Sequence, residues 1–160
     1  MENIKFNDLT ITKVEIFNLN VHLKKPFIIS LGVIKDAPNT AIKIHTNQKG
    51  LYGVGEASPT SFITGDTQES NFEFAKMLAE LIKGKNPLEV EDRILEINRD
   101  LKFNPTIKSA FDMALYDILG KYTNMPLYAL WGGKNNRTIT TDMTVGIHSP
   151  DEMAKEALAF

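Results

Sequence analysis

Cysteine is absent from this chain, which removes disulfides, thiolate metal sites and cysteine nucleophiles at once. Long apolar runs are missing as well. None approaches the roughly 20 residues needed to cross a bilayer, so no membrane partner is expected. Nor is there an excess of one charge: 18 Lys and Arg against 20 Asp and Glu leave a formal net charge of −2. That balance gives no reason to expect a nucleic-acid partner. Histidine is scarce, and His22, His45 and His148 show neither a helical i, i+4 partner nor a carboxylate companion in the sequence, so none is read as a metal ligand. The opening Met-Glu-Asn-Ile-Lys-Phe lacks the basic and apolar blocks of a secretion signal, and a cytoplasmic setting is expected.

What is present suits a compact domain. The 160 residues are 42% hydrophobic and 24% charged, enough to bury a core. The first 60 residues carry strand signals. Val14 and Ile16, then Leu19, Val21 and Leu23, alternate with polar residues, with a change of parity near Phe17 that predicts a bulge or two-sided burial there. Lys24-Lys25-Pro26-Phe27 is expected to end this strand. A loop follows from about Ser30 to Asn39. Thr40 to Thr46 alternates cleanly, Asn47 to Gly50 turns the chain, and Leu51 to Ala57 returns as a third, antiparallel strand.

From Asp66 the period becomes helical. Asp66 as N-cap with Glu69 resembles a capping box, and Phe74, Leu78, Leu81 and Ile82 form the apolar stripe of a first helix closed by Gly84. Asn86-Pro87 and Asn104-Pro105 each predict a further helix with proline in its first turn. Ile94, Ile97 and Leu101 supply the buried face of one; Ala110, Ala114, Leu115, Ile118 and Leu119 supply that of the other. Arg137 to Ile147 then reads as a strand and Ser149-Pro150-Asp151-Glu152 as a strong helix start. This last helix ends at Phe160 uncapped, with apolar residues to bury. The expectation is therefore a chain cut short after βββααα and a single β-α unit.

The stretch Ser109 to Gly133, S-A-F-D-M-A-L-Y-D-I-L-G-K-Y-T-N-M-P-L-Y-A-L-W-G-G, is the most specific. It is similar to the signature of the muconate-lactonizing and mandelate-racemase branches of the enolase superfamily. The matching positions are Ser109, Ala110, Asp112, Ala114, Leu115, Asp117, Gly120, Lys121, Pro126, Leu127, Leu130 and Gly132, with Phe111 and Trp131 departing toward bulk. Read for themselves, these residues are architectural: small side chains for close packing, glycines for unusual backbone, and a solvated or capping pair of aspartates. A second string, Gly55-Glu56-Ala57 through Ile63-Thr64-Gly65-Asp66, resembles a mobile loop of dipeptide (Ala-Xaa) epimerases.

The resemblance implies an α+β enolase-like N-terminal capping domain, a three-stranded antiparallel sheet plus helices, over residues 1–133. Residues 134–160 would begin a truncated (β/α)-barrel, with Thr138 to Ile147 its first strand. It also implies a Mg²⁺-dependent epimerase that moves a proton at the carbon α to a carboxylate through an enolate. The ion stabilises the developing charge while lysines on opposite faces exchange the proton. By family register the lysines and the metal ligands fall beyond Phe160, so no catalytic or metal residue is expected within 1–160, and the fragment alone should be inactive. The partner implied is a small dipeptide, and the full-length enzyme is expected to be a homo-oligomer.

Within the chain the resemblance points to substrate-facing residues. Phe27 and Ile63 would line the side-chain pocket, with Thr64 beside Ile63 in its loop, and Thr144 would contact the dipeptide backbone. Gly32 falls where Ala-Glu epimerases carry an arginine that pairs with the substrate carboxylate. Losing that bidentate partner favours dipeptides with a small or apolar second residue over Ala-Glu. Two alternatives stay open: a muconate cycloisomerase or o-succinylbenzoate synthase with the same fold, and a non-catalytic α+β interaction module.

Overall fold

A computed structural model describes residues 5–160. Three strands, β1 (Ile11–Ile29), β2 (Gly32–Thr46) and β3 (Tyr52–Ala57), form one sheet in the order β1-β2-β3. Helices follow: α1 (Gln68–Ile82), α2 (Val90–Asp100), α3 (Pro105–Thr123), a single turn α4 (Leu127–Leu130) and α5 (Pro150–Leu158). Among the described residues no helix is long and apolar enough to cross a membrane. The chain divides into two units, 1–19 with 38–135 and 20–37 with 136–160.

The first unit holds the core. β2 and β3 pair antiparallel with Ile42 opposite Gly55 and Ile44 opposite Gly53. Strand alternation puts those four on one face, and Ile42 and Ile44 are fully buried. The same face receives α3, whose Ala110, Phe111, Ala114, Leu115 and Ile118 are buried with Leu78 and Ile82 of α1 and Ile97 of α2. The approach of β3 to α3 leaves no room for side chains. A Cβ on Gly55 would overlap the carbonyl of Ala110, and one on Gly53 would overlap that of Ala114 and lie 2.8 Å from Ile118 Cγ1. The two ladders match in spacing: two strand residues advance about 6.8 Å, and one helical i, i+4 step about 6 Å.

Helix α3 also closes the open side of β3. Asp117 Oδ2 accepts the Val54 N–H at 3.0 Å, and Lys121 Nζ donates to the Tyr52 carbonyl at 2.9 Å and to Asp117 Oδ2 at 2.6 Å. An i, i+4 pair on one helix thus satisfies a donor and an acceptor of an edge strand, the groups that would otherwise template another chain.

The boundaries differ from the sequence expectation in four places, each with a local cause. Lys24-Lys25-Pro26 does not end β1, which continues to Ile29. β1 is an edge strand, the place in a sheet where proline is tolerated, because half of its N–H groups have no ladder partner. The expected loop from Ser30 to Asn39 is instead a tight turn at Ser30–Leu31 followed by β2, with Gly32 at φ 144°. α2 starts at Val90, not at Pro87, because Asn86 Oδ1 takes the Leu88 N–H in a turn of its own. The N-cap of α1 is Thr67, in a reciprocal box with Ser70, rather than Asp66 with Glu69.

In the second unit Ser149 caps α5, as the sequence reading has it, and the structure adds a reciprocal box with Glu152. The strand expected over Arg137 to Ile147 is not formed: these residues have no ladder partner among the described residues, and a strand needs a neighbour. The adjoining backbone link is Ile147 N–H to the Ile28 carbonyl at 2.9 Å.

The glycine–carbonyl contact yields a direct test. Gly55→Ala should destabilise the first unit by about 3 kcal/mol, the upper part of the range for overpacking. Urea unfolding followed by circular dichroism measures it, and an unchanged midpoint would contradict the packing described.

Candidate functional site

The loop between β3 and α1 is built around one threonine. Ile63 and Thr64 donate their N–H groups to the Thr60 carbonyl at 2.8 and 2.7 Å. The Thr64 hydroxyl accepts from Thr60 N–H at 3.1 Å, donates to the Thr60 carbonyl at 3.2 Å and accepts from Asp66 N–H at 3.4 Å. Gly65 follows at φ 78°, a conformation open to glycine and costly for a side chain. The closed turn pushes Phe62 and Ile63 outward, Ile63 to 72% exposure. An isoleucine so exposed on a hydrogen-bonded loop is free to contact a ligand.

Asp66, which ends this loop, is buried and reaches α3. Its Oδ2 accepts the Thr106 N–H at 3.3 Å and the Thr106 hydroxyl at short range, and Asn71 Nδ2 donates to Thr106 Oγ1 at 2.9 Å. Neither Asp66 in this role, nor Thr106, nor Asn71 is found by the sequence reading. One signal was present: Asn71 lies on the stripe of Ala75, Leu78 and Ile82, a polar residue in an apolar row that needs a buried partner.

The other residues singled out from the sequence lie in the second unit. Phe27 is half-buried near the end of β1, Gly32 opens β2 and is exposed, and Thr144 is exposed in the irregular segment before α5. A Cβ on Gly32 would meet no atom within 4 Å. Its φ of 144° nonetheless makes the position costly for any side chain.

Two histidines have the carboxylate companions that the sequence did not reveal. His45 Nε2 is 2.7 Å from Glu15 Oε2, and His22 Nδ1 is 2.8 Å from Asp36 Oδ1. Both pairs are brought together by strands, so linear spacing could not show them. Hydrogen bonds from Lys13 and His45 hold the Glu15 carboxyl down to about 2. Among the described residues no three His, Cys, Asp or Glu side chains are grouped to hold a metal ion. Taken alone, residues 5–160 do not fit a magnesium site.

The two aspartates of the Ser109–Gly133 stretch have separate fates. Asp117 caps the β3 edge. Asp112 lines a cavity of about 270 Å³ with Val90, Ile94, Leu95 and Tyr116, and burial pushes its carboxyl above the ordinary value of 3.8.

With this geometry in place, the comparisons are specific. The model of the family "Mandelate racemase / muconate lactonizing enzyme, N-terminal domain" matches residues 11–132, and the chain belongs to that family, within the enolase superfamily. It is 39% identical to the D-Ala-D/L-Ala epimerase of Cytophaga hutchinsonii over 94% of this chain and 40% of that protein. It is 37% identical to the hydrophobic dipeptide epimerase of Enterococcus faecalis over 94% of this chain and 42% of that protein. The solved dipeptide epimerase from Cytophaga hutchinsonii, complexed with Mg and the dipeptide D-Ala-L-Val, superimposes with a TM-score of 0.88 at 39% identity, over 94% of this chain and 40% of that one. The chain thus spans about two-fifths of the length of the curated relatives it matches.

Asp112 supplies a pH test with a defined sign. Its folded carboxyl sits above the unfolded one, so the folded state holds its proton longer and stability falls as pH rises from 3.8 through the folded value. Asp112→Asn should therefore flatten the pH dependence of the melting temperature in that window and leave stability at pH 7 equal or slightly raised. A marked loss of stability at pH 7 would count against burial as the governing effect.

Proposed function

We propose that residues 1–160 are the N-terminal part of a magnesium-dependent dipeptide epimerase. The reaction is a 1,1-proton transfer at the carbon α to the terminal carboxylate, through an enolate. The observation that carries this reading is the match over 94% of the chain to relatives described as acting on D-Ala-D/L-Ala and on hydrophobic dipeptides. On this reading residues 1–133 cap the mouth of a barrel that begins at 134–160. The ion, which stabilises enolate charge when bound, and the lysines that exchange the proton belong to parts of the enzyme outside this chain.

This chain's own contribution is selection. Ile63, displayed by the turn that Thr64 fastens, is assigned to contact with the substrate side chain, as is Phe27 on its own unit, and Thr144 to the dipeptide backbone. Gly32 decides the chemistry of that pocket. Where Ala-Glu epimerases place an arginine, this backbone adopts a φ of 144° that disfavours any side chain. With no guanidinium to pair a carboxylate, a charged second residue would be desolvated without compensation, whereas an apolar one gains from burial. The preferred substrates are therefore dipeptides with a small or apolar second residue. A homo-oligomeric enzyme in the cytoplasm is the setting we assign, with which a chain free of cysteine is compatible.

The test is exchange of the α-proton in deuterated water, followed by NMR, for the complete protein with magnesium and L-Ala-L-Val, L-Ala-L-Ala or L-Ala-L-Glu. The first two should lose their α-proton signal faster, by roughly tenfold or more in kcat/KM, as expected for one charge-assisted pair. A preference for L-Ala-L-Glu would overturn the substrate assignment. Exchange with none of the three would overturn the epimerase reading itself.

A further inference from the structure

Helix α3 begins without a cap of its own. Asn104, at its N-cap, is left-handed at φ 52° and makes no side-chain cap bond, and Phe103 before it is also left-handed. An α-helix leaves its first N–H groups without internal partners and carries partial positive charge at that end. The Thr106 N–H in this first turn is taken by Asp66, a carboxylate 40 residues earlier in the chain.

The Thr106 hydroxyl lies within reach of two acceptors, Asp66 Oδ2 and Asn71 Oδ1, the latter at 3.1 Å. Its hydroxyl has one proton, and the charged acceptor Asp66 is the stronger claimant. The oxygen is then free to accept from Asn71 Nδ2 at 2.9 Å. Asp66 and Asn71 are 3% and 0% exposed, so a lost partner here would leave a buried polar group unsatisfied. From Asp66 the connection runs outward. Its N–H reaches the Thr64 hydroxyl, which holds both backbone groups of Thr60, and that turn presents Phe62 and Ile63. An unbroken series of hydrogen bonds joins the start of the longest core helix to the tip of the loop.

We propose that Asp66 and Thr106 are positioning residues: they fix loop 58–66 on the N-terminus of α3 so that Ile63 meets the substrate side chain without an ordering step. The proposal rests on the epimerase reading, in which this loop faces substrate. A loop held in its binding geometry avoids the entropy of being ordered by the ligand. Loosening it should weaken binding of the side chain and leave the proton-transfer groups, which lie elsewhere, largely unaffected.

Two variants separate hydrogen bonding from bulk. Thr106→Val keeps the shape and removes the hydroxyl, whereas Thr106→Ser keeps the hydroxyl and removes a methyl. In the complete enzyme, T106V should raise KM for L-Ala-L-Val by roughly tenfold with kcat within about twofold of wild type, and T106S should restore most of the loss. Amide hydrogen exchange supplies a readout independent of activity. Residues 60–66 should exchange faster in T106V by roughly tenfold or more, and near wild-type rates in T106S. Asp66→Asn, which retains an acceptor, should fall between them. Unchanged exchange at 60–66 in T106V overturns the pin. Faster exchange with an unchanged KM overturns its role in selection, as does equal damage in T106S and T106V. If wild-type enzyme epimerises no dipeptide, the functional reading falls while the exchange data still decide whether the pin exists.

Discussion

The contact between Gly53 and Gly55 of β3 and the carbonyls of Ala114 and Ala110 on α3 sets the dimensions of the first unit. Sheet and helix usually pack through side chains; here backbone meets backbone along two matched steps. Such an approach tolerates no Cβ on the strand, and alanine keeps the helix face low opposite it. Ile42 and Ile44 on the neighbouring strand then fill the flank of α3, and α1 and α2 close over what is left. Because the helix lies so near the strand, Asp117 and Lys121 can reach the β3 backbone at all. A sheet-to-helix spacing one side chain wider would put those groups beyond hydrogen-bond range.

One helix therefore performs three tasks along its length. Its start receives Asp66 from the candidate loop, its middle supplies the alanines of the close approach, and its end covers an edge strand. The Ser109–Gly133 signature covers the second and third of these tasks. Its residue types follow from them: small residues one helical step apart, then an acid and a base one step apart on the side facing the strand edge. No direct chemistry is needed to account for either Asp117 or Lys121.

This division explains what the sequence could and could not disclose. Local periodicity carried the three strands, the apolar faces of the helices and the starts at Pro105 and Pro150, since each depends on neighbours in the chain. Features that depend on residues far apart were out of reach. Asp66 next to Thr67-Gln68-Glu69 reads as a helix cap, and only the fold shows that it caps a different helix. Proline inside β1 reads as a stop until the strand is known to lie at an edge. The carboxylates beside His22 and His45 come from adjacent strands, so a search by linear spacing passes over them. The candidate loop was legible as a string, Ile63-Thr64-Gly65, but the roles within it were not. Thr64 fastens the turn, and the exposed Ile63 is what the turn displays.

Gly32 shows how a specificity argument gains from backbone geometry. In sequence, glycine at this register is the absence of an arginine, and absence alone says little about what evolution could restore by one substitution. At φ 144° the position resists that restoration, because an L-residue would need the turn at Ser30–Leu31 to rearrange before its side chain could be accommodated. The open space that a Cβ would find there does not relieve this, since the cost lies in the torsion and not in a clash. An arginine at this position would thus require a different turn, not merely a different residue. On the proposed reading, the path of the hairpin would thereby favour substrates without a charged side chain.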